Sequence, residues 1–99
     1  MKSVISERST VMAAKHQVSS DLGGEVAILD LGAGMYYGLD EVGARIWELI
    51  QEPRTVREVQ DIILEEYDVD PASGKGDVLA LLRELADKGL VEVRDETPA

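Results

Sequence analysis

The stretch GMYYGLDEVGARIWELI, residues 34–50, decides how this chain of 99 residues folds. Its first part, residues 35–37 (MYY), is rich in β-formers and stands between two glycines. Asp40 is a good N-cap for a following helix, and the acidic Glu41 suits the positive end of that helix. Apolar residues then recur at helical spacing, at Val42, Ile46, Leu49 and Ile50. A strand that leads directly into a helix predicts the junction between a sheet and a helical half.

Composition indicates one small domain. The hydrophobic fraction of 44% is enough for one core. No apolar run approaches the roughly 20 residues of a membrane span, and the N-terminus lacks the apolar segment of a signal peptide. The chain has no cysteine, which excludes disulfides and thiolate chemistry and fits a cytoplasmic setting. We therefore expect a domain over residues 10–93, with a loose arm at 1–9 and a loose tail at 94–99.

Two turn clusters divide the first part of the chain into three strands. The first predicted strand is residues 11–18, and the turn at 21–24 separates it from an apolar second strand at 26–31. Another turn, at 32–34, leads into the third strand, residues 35–38. Connections this short join antiparallel neighbours. The pattern therefore predicts a three-stranded antiparallel meander whose last strand keeps one edge open.

Two more helices follow the helix of the opening stretch. Thr55 and Glu58 have the spacing of a capping box, which predicts the start of the second helix. Asp and Pro at 70–71 suit the start of the third. The glycines within 74–76 would weaken its first turns, so a start near Asp77 is the alternative.

The end of the third helix completes the fold prediction. Gly89 is a C-cap signal, and residues 90–93 predict a short extended piece beyond it. This order predicts the α+β class, with a winged-helix-like domain in which a three-stranded antiparallel sheet is followed by three helices.

Few residues are suited to catalysis or to metal binding. His16 is the only histidine, and no nucleophile or acid stands at a recognisable spacing from it. The acidic run at 65–70 lacks the glycine turn and oxygen spacing of a calcium loop. The segment 74–76 (GKG) lacks the strand and the Ser or Thr of a phosphate loop. We therefore expect no enzyme activity, no metal and no cofactor.

The charge of the chain argues against nucleic acid as the ligand. The net charge is −10, from 20 acidic and 10 basic residues, and such a field repels phosphate backbones. In a winged-helix protein the third helix would read DNA, yet here its acids outnumber its cations. The cations are Arg83 and Lys88, and the acids are Asp77, Glu84 and Asp87. A DNA-binding winged helix is therefore the less favoured alternative.

The third strand and third helix suit an extended peptide instead. An open strand edge has unpaired N–H and C=O groups that a peptide can complete, while side-chain pockets set specificity. Tyr36 and Tyr37 point to opposite faces, so one can pack inward while the other stays at the rim. One flank of the helix, beside its core stripe, presents Asp77, Leu81, Glu84 and Lys88. The alternatives are that these residues serve the core alone, or that another subunit covers the edge.

An ordered set of short motifs runs through most of the chain. They are 36–40 (YYGLD), Gly43, Ile46-Trp47, Leu49, Thr55-Val56, Asp77-Val78, Leu81-Leu82, Leu85 and 89–91 (GLV). This set resembles the PqqD-like family, the recognition elements of ribosomally synthesised and post-translationally modified peptides (RiPPs). The earlier run 11–16 (VMAAKH) is similar to the stand-alone leader-binding proteins of lasso-peptide clusters. The resemblance covers about residues 11–93.

The resemblance implies a non-catalytic adaptor that holds the leader segment of a ribosomally made precursor peptide. The leader would lie antiparallel to the third strand, in a groove against the third helix, with a Tyr and a nearby Pro as apolar anchors. On the strand, the implied site residues are Met35, Tyr36, Tyr37 and Gly38. On the helix, they are Asp77, Val78, Leu81, Glu84 and Leu85.

The implied partners are a leader peptidase and, downstream, a cyclase, with neither nucleic acid nor a membrane involved. A PqqD-type chaperone that delivers a precursor peptide to a radical enzyme is the alternative within the same family. Gly74 and Gly76 depart from the family pattern at the upper end of the implied groove.

Overall fold

The computed structural model describes residues 5–15, 17–21, 23–32 and 34–94. Its elements are β1 (Thr10–Ala13), β2 (Gln17–Asp21), β3 (Val26–Asp30), β4 (Met35–Leu39), α1 (Glu41–Leu49), β5 (Arg54–Thr55), α2 (Val56–Glu66), α3 (Pro71–Asp87) and β6 (Val91–Arg94). His16 lies outside the described residues, as do the outer parts of the predicted arm and tail. Within the described ranges, no helix is long and apolar enough to cross a membrane.

The strands form two three-stranded antiparallel sheets. In the first, which we name the closed sheet, β1 pairs with β5 on one side and with β6 on the other. In the second, the open sheet, β3 lies between β2 and β4. The predicted α+β class, with an antiparallel three-stranded meander and three helices, is confirmed, and β4 is the predicted third strand.

The prediction of one strand over residues 11–18 is wrong, because the two halves of this segment belong to different sheets. The first half lies in β1 of the closed sheet, and the second half begins β2 of the open sheet. Where β1 ends, the amides of Ala13 and Ala14 donate to the carbonyls of Ile50 and Leu90, at 2.8 and 2.9 Å. Partners so distant in the chain leave no local pattern, and periodicity alone therefore merged the two strands.

Residues 5–9, predicted to be part of a loose arm, instead pack against the domain. Ile5 is 1% exposed and belongs to the hydrophobic core. Its carbonyl accepts a hydrogen bond from Arg83 at 3.2 Å, and the carbonyl of Ser9 accepts one from the amide of Val56 at 2.9 Å. The segment is polar apart from Ile5, so its composition does not reveal these contacts.

Side-chain caps begin the helices, as the sequence predicts. Asp40 accepts a hydrogen bond from the amide of Gly43 at 2.8 Å and so caps α1. At α2, Thr55 accepts from the amide of Glu58 at 3.1 Å, and the carboxylate of Glu58 accepts from the amide of Thr55 at 3.0 Å. The side chain of Asp70 caps α3. Each cap satisfies amides that the first helical turn leaves without an intrahelical partner.

α3 begins at Pro71, so the alternative start near Asp77 is wrong. Gly74 is buried, and a Cβ added there would come within 2.6 Å of Leu64 and 2.9 Å of Val69. The missing side chain therefore lets α2 and the chain after it approach α3 closely. This packing stabilises helical turns that their own residues favour only weakly.

The core lies between the helices and the inner faces of the sheets. Its fully buried members include Val11, Ile28, Ile50, Val56, Val59, Leu82 and Leu85. In the open sheet, Ile28 is paired with Tyr37 on the core side, whereas Leu29 is paired with Tyr36 on the outer side. Tyr36 is 68% exposed and Tyr37 packs on the core, which confirms that the two tyrosines point to opposite faces.

Candidate functional site

β4 is an edge strand of the open sheet. It pairs with β3 from Met35, opposite Asp30, to Leu39, opposite Val26. Within the described residues, no strand lies along its other edge. In an antiparallel ladder, alternate residues direct their N–H and C=O groups to opposite sides of the strand. The outer edge of β4 therefore offers backbone groups to which another strand can pair.

A groove of about 530 Å³ lies between this edge and the N-terminal half of α3, and we name it the β4–α3 groove. Its lining residues are Tyr37, Gly38, Leu39, Asp40, Val42, Gly43, Ile46, Ile63, Tyr67, Val69, Gly74, Asp77, Val78 and Leu81. Ligand sites in proteins commonly enclose about 300–1,000 Å³ and are lined mostly by apolar side chains. The β4–α3 groove has both properties and adjoins an unpaired strand edge.

The structure brings most of the predicted site residues to this region. Those that line the β4–α3 groove are Tyr37, Gly38, Asp77, Val78 and Leu81. Met35 and Tyr36 lie at the other end of β4, where they line a hollow of about 20 Å³. Leu85 of α3 is fully buried and lines neither cavity, so its side chain belongs to the core.

Tyr37 is held by two side chains of α3. Its hydroxyl donates a hydrogen bond to Glu84, and Nζ of Lys88 lies 5.6 Å from the centre of its ring, within the range of a cation–π interaction. Burial, together with the hydrogen bond and the charge of Glu84, raises the pKa of Tyr37 to about 12. The hydroxyl is therefore protonated at neutral pH and acts as a donor.

Carboxylates border the β4–α3 groove, and no lysine or arginine of the described residues lines it. Oδ1 of Asp40 caps α1, while Asp77 is exposed on α3. Together with the net charge of −10, this border disfavours phosphate-rich ligands and favours neutral or basic ones.

The walls that α1 and α2 contribute to the groove were not predicted from the sequence. Val42 and Ile46 lie on the apolar stripe of α1, and periodicity does not distinguish a core stripe from a groove wall. Tyr67 and Val69 follow the end of α2 and line the groove as well. Val69 is 43% exposed, and an apolar residue between two aspartates was the one local signal of this wall.

The fold and the groove define a class of small α+β domains that present an open strand edge above an apolar cleft. The family model described as coenzyme PQQ synthesis protein D (PqqD) matches residues 25–91. This chain therefore belongs to the PqqD family. The family identified from the sequence motifs is confirmed.

A curated relative and one solved structure agree with this assignment, and a second solved structure shares the fold. The "PqqA binding protein" of Rhodopseudomonas palustris (strain HaA2) is 38% identical over 60 residues, which are 60% of this chain and 59% of the relative. The structure "TbiB1 in Complex with the TbiA(beta) Leader Peptide" is 41% identical, with a TM-score of 0.75 over 82% of this chain and 94% of that one.

The second structure is the solution NMR structure of the PqqD truncation of Methylobacterium extorquens PqqCD, described as a functional, stand-alone RiPP recognition element. It has a TM-score of 0.73 and 22% identity, over 90% of this chain and 95% of that one. At this identity the likeness concerns the fold alone.

Proposed function

We propose that this protein is a non-catalytic adaptor that binds the leader segment of a ribosomally synthesised precursor peptide. The observation that carries the proposal is the unpaired edge of β4 beside the apolar β4–α3 groove. An extended peptide would complete the backbone hydrogen bonds of that edge, and its alternate side chains would enter the groove. The relative with 41% identity is named as a complex with a leader peptide, which supports the same class of ligand here.

The leader would run antiparallel to β4, with apolar side chains such as Tyr and Pro as its anchors. On the strand it would contact Met35, Tyr36, Tyr37 and Gly38. On α3 it would contact Asp77, Val78, Leu81 and Glu84, with Leu85 supporting them from the core. Filling the edge would also remove the aggregation risk that an unpaired strand carries.

The adaptor would present its leader to a leader peptidase, and the product would then pass to a cyclase, in a cytoplasmic lasso-peptide pathway. The similarity of residues 11–16 to stand-alone leader-binding proteins of lasso-peptide clusters supports this pathway.

Delivery of a precursor peptide to a radical enzyme, in a quinone-cofactor pathway, is the second candidate function. The observation that favours it is the description of the matching family and of the curated relatives, which refer to coenzyme PQQ synthesis and to PqqA. Both functions use the same groove. Parallel titrations with a lasso-type leader and with a PqqA-type peptide would separate them, because the cognate peptide should bind more tightly.

Substitution of Leu81 tests the site. Leu81 is partly buried and lines the β4–α3 groove. In Leu81→Glu a charge would have to lose its water on the apolar floor, so we expect the affinity for a labelled leader to fall at least about tenfold. Fluorescence titration measures the affinity, and circular dichroism should show an unchanged fold.

Leu31→Glu is the matched control, since Leu31 is 63% exposed and lines neither cavity described above. It should bind the leader as the unaltered protein does. Equal affinities for Leu81→Glu and Leu31→Glu would place the leader site away from α3.

A further inference from the structure

Tyr37 lines both the β4–α3 groove and the small hollow at the other end of β4. On the side of Gly38 and Leu39 the groove encloses about 530 Å³. On the side of Met35 the hollow encloses about 20 Å³, enough for one water molecule. The cavities at the two ends of this strand therefore differ greatly in volume.

The ring of Tyr37 is held in place between these two spaces. The large groove adjoins the N-terminal half of α3, whereas Lys88, at the end of that helix, lines the hollow. Glu84 accepts the hydroxyl hydrogen of Tyr37, and Nζ of Lys88 lies 5.6 Å from the ring centre. Displacing the ring would break a charge-assisted hydrogen bond and a cation–π contact together.

We propose that the ring of Tyr37 is a wall that fixes the register of the bound peptide. A large apolar side chain fits only where the peptide faces Leu39, and the groove-side residue that faces Met35 must be small. This inference rests on the proposed function. In a strand antiparallel to β4, the residue opposite Met35 lies four positions C-terminal to the residue opposite Leu39. The preferred ligand is thus an extended peptide with a bulky apolar residue followed, four positions later, by a small one.

Peptide display on the intact protein tests the wall without knowledge of the natural leader. Random peptides of about 15 residues, a length that spans the strand with flanks, are selected on the unaltered protein. The best binder is then synthesised with a fluorescent label, and each position is replaced in turn by Ala and by Phe. We expect Phe to be tolerated at one position and to weaken binding at least about tenfold at the position four residues later.

Variants of Tyr37 and of Leu29, an apolar residue on the outer face of the open sheet, show whether the ring of Tyr37 causes that penalty. Tyr37→Val removes the ring but keeps a residue suited to a strand. The loss of affinity that Phe causes at that peptide position, the Phe penalty, should then fall to about threefold or less. Tyr37→Phe keeps the ring and should keep the penalty. Leu29→Val is the matched control, because Leu29 lies on the outer face of the open sheet and lines neither the β4–α3 groove nor the hollow, and it should also keep the penalty.

A second measurement uses only the unaltered protein, so it remains valid even where a variant fails to fold. In an NMR structure of the complex with the unaltered protein, nuclear Overhauser contacts should join the bulky peptide side chain to methyl groups of Val42 and Leu81. The same side chain should show no contact to the methyl group of Met35. Contacts from a bulky side chain to Met35 would overturn the wall.

The outcomes separate the wall from the proposed function. An unchanged Phe penalty in Tyr37→Val, or equal relief in Leu29→Val, overturns the wall and leaves the adaptor proposal in place. If the selected peptides bind Leu81→Glu as tightly as the unaltered protein, they do not occupy the β4–α3 groove, and both proposals fall.

Discussion

Each of the two sheets has one central strand and two edge strands, but the sheets differ in which parts of the chain they join. In the closed sheet, β1 has a strand on each side, and segments near both ends of the described chain meet there. In the open sheet, β4 has a strand on one side only, and Leu29 and Tyr36 are exposed on the outer face. The closed sheet therefore joins segments that are distant in the chain, and in the open sheet the edge of β4 lies beside the β4–α3 groove, where another chain can pair.

Amide hydrogen exchange should show the largest contrast between the sheets. The amides of Ala13 and Ala14 are bonded to buried carbonyls at the end of β1, whereas alternate amides of β4 face the unpaired edge. We expect exchange at Ala13 and Ala14 to be slower by a factor on the order of 10³ or more. NMR measures this exchange residue by residue.

The same exchange measurement can be repeated with a leader peptide added. Leader binding should protect the edge amides of β4 while those of Ala13 and Ala14 change little. Equal protection of the edge amides of β4 and of the amides of Ala13 and Ala14 in the free protein would contradict this expectation.

Truncation of Ile5 should produce the largest loss of stability. Ile5 is buried, and the segment that carries it is tied to α2 and α3. Ile5→Ala leaves a cavity, so the free energy of unfolding should fall by about 2–5 kcal/mol. Urea denaturation measures it. Leu31→Ala, on the open sheet's exposed turn, is the control and should stay within about 0.5 kcal/mol.

Removal of the cap at Thr55 should lower the free energy of unfolding less than Ile5→Ala does. Thr55 ends β5 and caps α2 through its side chain. Thr55→Ala should lower the free energy of unfolding by about 1 kcal/mol, whereas Thr55→Ser keeps a capping hydroxyl and should be nearly neutral. Equal losses in both variants would assign the effect to the methyl group of Thr55 instead of the cap.

The same cap should make stability depend on pH. Hydrogen bonds from the amide and the hydroxyl of Thr55 lower the pKa of Glu58. Because the folded pKa lies below the unfolded value of about 4.3, the stabilisation is present above that pH and is lost as pH falls through the folded value. Urea denaturation at decreasing pH should therefore show a loss of stability that is smaller in Glu58→Gln. An identical slope in both proteins would remove Glu58 as a cause.

The smallest expected effects concern two glycines in the first turns of α3. Gly76 is exposed, and nothing lies within 4 Å of a Cβ added there. Gly76→Ala should therefore raise the free energy of unfolding by about 0.5–1 kcal/mol through better helix propensity. Gly74→Ala should lack this gain, since its Cβ must displace Leu64 and Val69. Thermal or urea denaturation compares them, and equal gains would show that the contact around Gly74 is loose.

Features that depend on neighbours in the chain could be predicted from the sequence. The caps at Asp40 and Thr55 join residues three positions apart, and Gly89 adopts the positive φ of +75° that its place after α3 requires. The two faces of β4 follow from simple alternation. Features that depend on distant partners were missed, such as the pairing of β1 with β6 and the burial of Ile5.

The α+β class, the residues that cap the helices and the family could all be predicted from the sequence. The division of residues 11–18 between two sheets depends on tertiary contacts. So does the contribution of α1 and α2 to the walls of the groove. The physical reason is that periodicity reports which side of an element is apolar, and a buried core and an open groove both need apolar sides. An apolar face becomes buried core where another helix or strand covers it, and it lines a groove where none does. Packing between residues far apart in the chain determines which of these happens.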